Sequence, residues 1–172
     1  MFDFLGQYYK LFLQGTGLTI IISIIGILLG ILLGLVLVLL RRSKLKILQY
    51  ISRIYVSIVR GTPSMIQVML IYYSISKGLE ISQVQVLGSG LDRIIPGSIA
   101  LGLNSAAYTS EIFRSGIISV PTGQMEAGLS LGMSERTTLF SIILPQAVRN
   151  ILPALGNEFI TLIKESSVLF YI

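Results

Sequence analysis

The stretch "EAGLSLGMSERTTLFSIILPQA", Glu126 to Ala147, decides how this chain is read, because it does not match its surroundings. It carries two acids, an arginine, two glycines and several hydroxyl side chains inside a chain that is 53% hydrophobic and only 12% charged, with mean hydropathy +0.82. Soluble domains are about one quarter charged, so the whole composition points to a bilayer protein. The local pattern predicts two short helices separated by a turn. Gln124 to Leu131 suits a helix of about two turns, Gly132 suits its C-terminal stop, Ser134 can cap the next helix, and Glu135 is favourable in a first turn. A chain that only reversed direction would need a few residues. This one builds a structured surface, which suggests that a soluble partner docks there.

Working back toward the N-terminus, "LTIIISIIGILLGILLGLVLVLL" from Leu18 to Leu40 holds 23 residues without a charge. As a helix it covers roughly 35 Å, enough to cross a bilayer. It is too long for a secretory signal, Asp3 precedes it where a basic region would be expected, and "RRSK" follows it in place of a small-residue cleavage site. Gly26, Gly30 and Gly34 recur every fourth residue and set a smooth stripe on one face. That stripe serves either static packing or a helix that moves against its neighbours. The preceding "MFDFLGQYYKLFLQG" interleaves aromatic and polar residues, so residues 1–15 are expected to form an external or interfacial segment.

Six of the thirteen Lys and Arg lie between Arg41 and Arg60, with no acid among them. Placed after the apolar run, they form a juxtamembrane cluster that marks the cytoplasmic side, and they explain the net charge of +5 better than a nucleic-acid partner does. Gly61-Thr62-Pro63 should break the helical pattern, since Pro63 lacks an N–H and restricts Thr62. A basic helix, a break and a second span are therefore expected. The polar stretch from Lys77 to Arg93 reads as an external loop, and a third span follows with Pro96 in its first turn, stopped by Pro121-Thr122-Gly123. Counting spans returns Gln124–Ser141 to the side of the arginine cluster.

The chain has no Cys and no His, which excludes disulfides, thiolate metal sites, Cys nucleophiles and histidine bases. It has no glycine loop with a phosphate-binding lysine, so it is not read as an enzyme or as an ATP-binding chain. No metal or cofactor is expected on it. The informative residues are polar ones inside spans, because these are costly in lipid. Asn104, Tyr108, Glu111 and Ser115 recur at steps of four, three and four and share one helix face. They either bond to neighbouring helices or line a solute route, and Arg114 could partner Glu111. A second stripe, Glu158, Thr161 and Glu165, with Lys164 adjacent, lies on the fourth span. Arg60 reads as an interfacial anchor beside the kink.

At Glu126 the chain resembles permease subunits of ATP-binding-cassette importers, whose cytoplasmic signature is E-A-A, three residues, G, nine residues, I, one residue, L-P. Glu126-Ala127-Gly128, Gly132, Ile142 and Leu144-Pro145 fall at those spacings, with Gly128 as the one departure, expected to loosen the short helix by roughly 0.5–1 kcal/mol. "GTGLTIIIS", "RGTP", "LNSAAYTSEIFRSGI" and "LPQAVRNILPALGNEFITLIKESS" are similar to segments of the polar-amino-acid branch, so the resemblance covers about Gly15 to Ser167.

The resemblance implies an all-α type-1 ABC importer transmembrane domain over 16–172, with a coupling segment near 121–141. It further implies a multi-pass protein of the bacterial inner membrane with its N-terminus outside. The implied partners are ATPase subunits that bind ATP and Mg, an external solute-binding protein and a second permease, identical or not. Glu126, Ala127, Gly128, Gly132, Leu144 and Pro145 would contact the ATPase, and the two polar stripes would belong to the route. About four spans are expected, with the family's usual fifth missing or incomplete after Ile172. The residues alone leave other readings: a stand-alone ion-coupled carrier or channel using Glu111 and Glu158, or a membrane scaffold. The first leaves the structured segment at Glu126 without a purpose, and the second explains neither feature.

Overall fold

The computed structural model describes residues 3–76 and 85–171. In chain order these form α1 (Asp3–Arg41), α2 (Lys46–Gly61), α3 (Ser64–Ser76), β1 (Gln85–Val86), β2 (Ser89–Gly90), α4 (Leu91–Ile118), α5 (Gly123–Ser130), α6 (Glu135–Thr138) and α7 (Leu144–Glu165). A π-helical turn, Leu139–Ile143, joins α6 to α7, and a 3₁₀ segment, Ser166–Tyr171, follows α7. Four helical units make the bundle: α1, the bent pair α2–α3, α4, and α7 with the segment that leads into it.

α1 is unbroken from Asp3. The aromatic and polar stretch expected as a separate segment over 1–15 is, in its described part, the first turns of the same helix. No Pro interrupts it and Gly15 and Gly17 are tolerated, because neither kinks a helix that apolar residues on both sides continue. The break at Thr62-Pro63 is where it was expected, and there α2 and α3 meet at 111°.

α4 lies at the centre, packed against α1, α3 and α7. Gly26 faces Leu101, Gly30 faces Ser105 and Gly34 faces Thr109, so the numbers rise together and α1 and α4 run parallel. Ile151 packs on Gly116 and Glu158 bonds to Ser105, so α7 runs antiparallel to α4. The basic end of α1, the C-terminal end of α4 and the start of α7 therefore share one end of the bundle, with α5 between α4 and α7.

The glycine stripe is the reason α1 and α4 approach so closely. A Cβ on Gly30 would stand 2.7 Å from Ser105 Oγ, and the Thr109 hydroxyl donates across the seam to the Gly30 carbonyl at 2.7 Å. Leu28, Leu32 and Leu39 lie on the outside of α1 with 61% of their surface open. In lipid this asymmetry is favourable, since leucine gains nothing by leaving an apolar solvent while small residues gain backbone-to-backbone contact.

Tyr8–Arg41 and Glu135–Leu169 are each long and apolar enough to cross a membrane, and the bent α2–α3 pair is a third such unit. α4 is 28 residues long but too polar to be recognised alone. Several of its polar groups are satisfied by protein: Asn104 Nδ2 donates to Gln67 Oε1 of α3 at 2.9 Å, and Ser110 Oγ to the Ala107 carbonyl at 2.8 Å, whereas the buried Ser98 Oγ has no partner among the described residues. Two boundaries differ from expectation. α4 begins at Leu91, five residues before Pro96, which is buried inside the helix. The expected loop ends in a two-residue hairpin, Gln85–Val86 with Ser89–Gly90, while Lys77 and Glu80 lie outside the described residues.

Candidate functional site

The segment after α4 is held by cooperating local signals. α5 ends in a Schellman turn: Met133 N–H donates to the Gly128 carbonyl at 3.1 Å and Gly132 N–H to the Leu129 carbonyl at 2.9 Å. Gly132 takes φ +79°, the left-handed conformation that this turn requires and that a side chain disfavours. Ser134 then caps α6, its Oγ accepting from Thr137 N–H at 3.2 Å.

Gly128 is buried against Thr138, so α5 folds back on α6 and leaves Glu126 and Ala127 exposed on the opposite side. Val120, Ile143, Ala147 and Ile151 form the buried cluster that carries this unit on the ends of α4 and α7. The π turn ends where Pro145 enters: Leu144 N–H reaches back five residues to the Leu139 carbonyl, widening the helix just before a residue with no N–H. Leu144 is half-buried and Pro145 exposed, so Leu144 helps seat the unit and Pro145 stands in the first turn of α7.

The polar stripe of α4 divides in two. Asn104 is buried and tied to Gln67, away from open space. Tyr108, Glu111 and Ser115 instead line a depression of about 380 Å³, together with Arg60 from α2 and Glu158 from α7. Arg60 lies over the Tyr108 ring, its guanidinium carbon 5.4 Å from the centroid, a cation–π arrangement. Ser105 Oγ donates to Glu158 Oε1 at 2.7 Å, which fixes one oxygen of that carboxylate.

Both oxygens of Glu111 are occupied. Oε2 accepts from Arg114 Nε at 2.7 Å, and Oε1 accepts from Nη1 of Arg41 on α1. Arg114 had been the one anticipated partner; Arg41 is separated by seventy positions, and nothing local pointed to it. Thr161 is exposed and donates to the Asn157 carbonyl of its own helix at 3.0 Å, so it is not brought to the depression, and Ser115 Oγ likewise serves its own helix at the Ile112 carbonyl. Arg60, which the sequence favours as an anchor over a solute ligand, stands in the lining of the depression. The helix break at Pro63 was the available signal, because it turns the end of α2 inward.

A larger groove of about 780 Å³ lies between the outer part of α1 and α7. Leu11, Phe12, Gly15 and Ile163 line it with the hydroxyl-bearing Tyr8, Thr16 and Thr19 and without a charged group. Among the described residues no group of three or more acids stands close enough to hold a metal ion.

Residues 7–172 match the family described as "Binding-protein-dependent transport system inner membrane component". The chain is 38% identical over 169 residues to the "Probable amino-acid permease protein YxeN" of Bacillus subtilis (strain 168), covering 98% of this chain and 72% of that protein. It is 39% identical over 156 residues to the "Arginine transport system permease protein ArtQ" of the same organism, covering 91% and 68%. Among solved structures it matches the crystal structure of an amino acid ABC transporter with histidines, with TM-score 0.85, 36% identity, and coverage of 99% of this chain and 76% of that one.

Proposed function

The chain belongs to the family of binding-protein-dependent transport system inner membrane components and has the type-1 ABC importer fold, and from that premise we propose that it forms the path of an ATP-driven importer for polar amino acids. The N-terminus lies outside, and the basic end of α1 with α5 lies in the cytoplasm, where ATPase subunits bind ATP and Mg. A second permease completes the path, and an external binding protein delivers the solute. The observation that carries the reading is the α5–α6 unit: a short helix stopped by Gly132, seated by Gly128 on Thr138, with Glu126 and Ala127 turned outward. Exposed small and acidic residues on a rigidly mounted helix suit insertion into a cleft of another protein, and mounting on both α4 and α7 lets movement there reach the bundle.

The solute route passes the depression around Arg60, Tyr108 and Glu158. An amino acid brings an ammonium and a carboxylate, each needing compensation away from water. Glu158 can answer the first and Arg60 the second, while Tyr108 adds a hydroxyl and an aromatic face. Glu111, held by Arg41 and Arg114, orients this wall. A stand-alone ion-coupled carrier could use the free oxygen of Glu158 but not Glu111, which is engaged at both oxygens, and it would leave the α5–α6 unit without a purpose.

The test is Glu126→Lys in the complex with ATPase and binding protein. The permease should still insert, while solute-stimulated ATP hydrolysis falls at least tenfold or the ATPase subunit is lost on purification. Normal stimulation would remove α5 from the coupling role.

A further inference from the structure

We propose that the cavity between the basic end of α1 and the C-terminal end of α4 holds the phosphate headgroup of an anionic phospholipid. The cavity is about 290 Å³ and is lined by Arg41, Arg42 and Arg114 together with Val38, Ile117 and Ile118. Three arginines line it, Arg41 at the end of α1, Arg42 in the turn that follows and Arg114 on α4. Glu111 is the acid that pairs with this set, and it engages one N–H of Arg41 and the Nε–H of Arg114. The remaining donors of both side chains stay available, and the Arg42 side chain has no hydrogen-bond partner among the described residues, its backbone N–H alone being bonded, to Val38 and Leu39. Two positive charges are therefore uncompensated around one space. Guanidinium forks match phosphate oxygens in geometry as well as in charge.

The apolar side chains commit the site to a lipid over free phosphate. Val38, Ile117 and Ile118 make half of the lining apolar, which suits a lipid better than a hydrated ion. From the same space exposed Leu35 and Leu39 lead back along the outer face of α1, giving an acyl chain apolar surface to follow. The cavity also stands where the uncharged run of α1 ends, at the depth of a headgroup. Basic pockets between membrane helices on the cytoplasmic side bind anionic lipid headgroups. Arg114 lines both this cavity and the central depression, and Arg41 and Arg114 also hold Glu111, so a headgroup seated here would steady the wall of that depression. The inference does not depend on what the depression transports.

The experiment reconstitutes the purified permease complex in nanodiscs of equimolar phosphatidylglycerol and phosphatidylcholine and counts retained lipid by native mass spectrometry. The wild type should keep about one phosphatidylglycerol per chain, in preference to phosphatidylcholine. Arg42→Gln should lower that retention about fivefold, the effect of one basic residue at a membrane surface, and Arg42→Lys should largely preserve it. Arg53→Gln on α2, outside the cavity, should leave it unchanged. Equal retention of both lipids by the wild type would overturn the proposal without any variant. So would an equal loss in Arg53→Gln, which would reduce the effect to diffuse surface charge. Displacement of phosphatidylglycerol by millimolar inorganic phosphate would also overturn it, by making the cavity a site for the free ion.

Discussion

Thr138 occupies the space that a side chain on Gly128 would need: a Cβ built there stands 2.6 Å from Thr138 Oγ1. Thr138 is fully buried, and its hydroxyl donates to the Ser134 carbonyl at 3.0 Å, so it cannot simply swing aside. The glycine that departs from the family signature is therefore one half of a small–large pair joining α5 to α6. Gly128→Ala should gain about 0.5–1 kcal/mol of helix propensity but lose about 1–3 kcal/mol to overpacking. The double variant Gly128→Ala, Thr138→Ala should recover much of that loss. A double-mutant cycle on thermal unfolding of the purified complex measures the coupling. A single Gly128→Ala variant more stable than the parent would show that the pair is not interlocked.

The glycines of α1 should differ in their sensitivity, although the sequence presents them as equivalent. A Cβ on Gly26 would meet Leu101 Cβ at 3.6 Å, an ordinary contact. On Gly30 it would lie 2.7 Å from Ser105 Oγ, and on Gly34 it would meet the Thr109 hydroxyl and stand 3.0 Å from the backbone nitrogen of Ser110. Side chains yield more readily than backbone, so destabilisation should rise in the order Gly26→Ala, Gly30→Ala, Gly34→Ala, the last by about 1–3 kcal/mol. Melting temperatures in detergent give the ranking, and a uniform response across the three would contradict the seam described here.

What was legible in the sequence was local. The cap at Ser134, the stop at Gly132 and the break at Pro63 each depend on a few neighbouring residues whose backbone requirements are strict. The glycine stripe was legible as a surface, but its partner on α4 was not, since nothing in a period of four names the opposing helix. The same limit hid the Arg41–Glu111 pair, in which residues seventy positions apart meet only because α1 and α4 run parallel. It also explains why the stripe Asn104–Ser115 was read as one functional face. Spacing puts its members on one side of a helix, but that side meets α3 at Asn104 and open space at Tyr108.

Orientation can be tested directly because the chain has no cysteine. Ser43 follows the basic end of α1, Ser130 is exposed on α5, and Gln85 is exposed at the hairpin beside the opposite end of α4. With the basic end in the cytoplasm, an impermeant thiol reagent added to intact cells should label Gln85→Cys and spare Ser43→Cys and Ser130→Cys, which should react only after permeabilisation. Labelling of either of the latter two in intact cells would invert the assignment.

Glu111 and Glu158 line the same depression and should behave differently when neutralised. Glu111→Gln removes the charge that two guanidinium groups share, leaving Arg41 and Arg114 to repel each other. Since both arginines are partly exposed, the loss should be on the order of 1–3 kcal/mol, short of that for a fully buried pair. Glu158→Gln keeps a carbonyl oxygen that can accept from Ser105, so the fold should hold while the charge offered to a solute ammonium disappears. In vesicles containing the ATPase and the binding protein, Glu158→Gln and Arg60→Gln should retain basal ATP hydrolysis and lose most uptake, at least tenfold. Glu111→Gln should show a lowered melting temperature first, with uptake falling in proportion to folded protein. Wild-type uptake by folded Glu158→Gln and Arg60→Gln would take the solute route away from this depression.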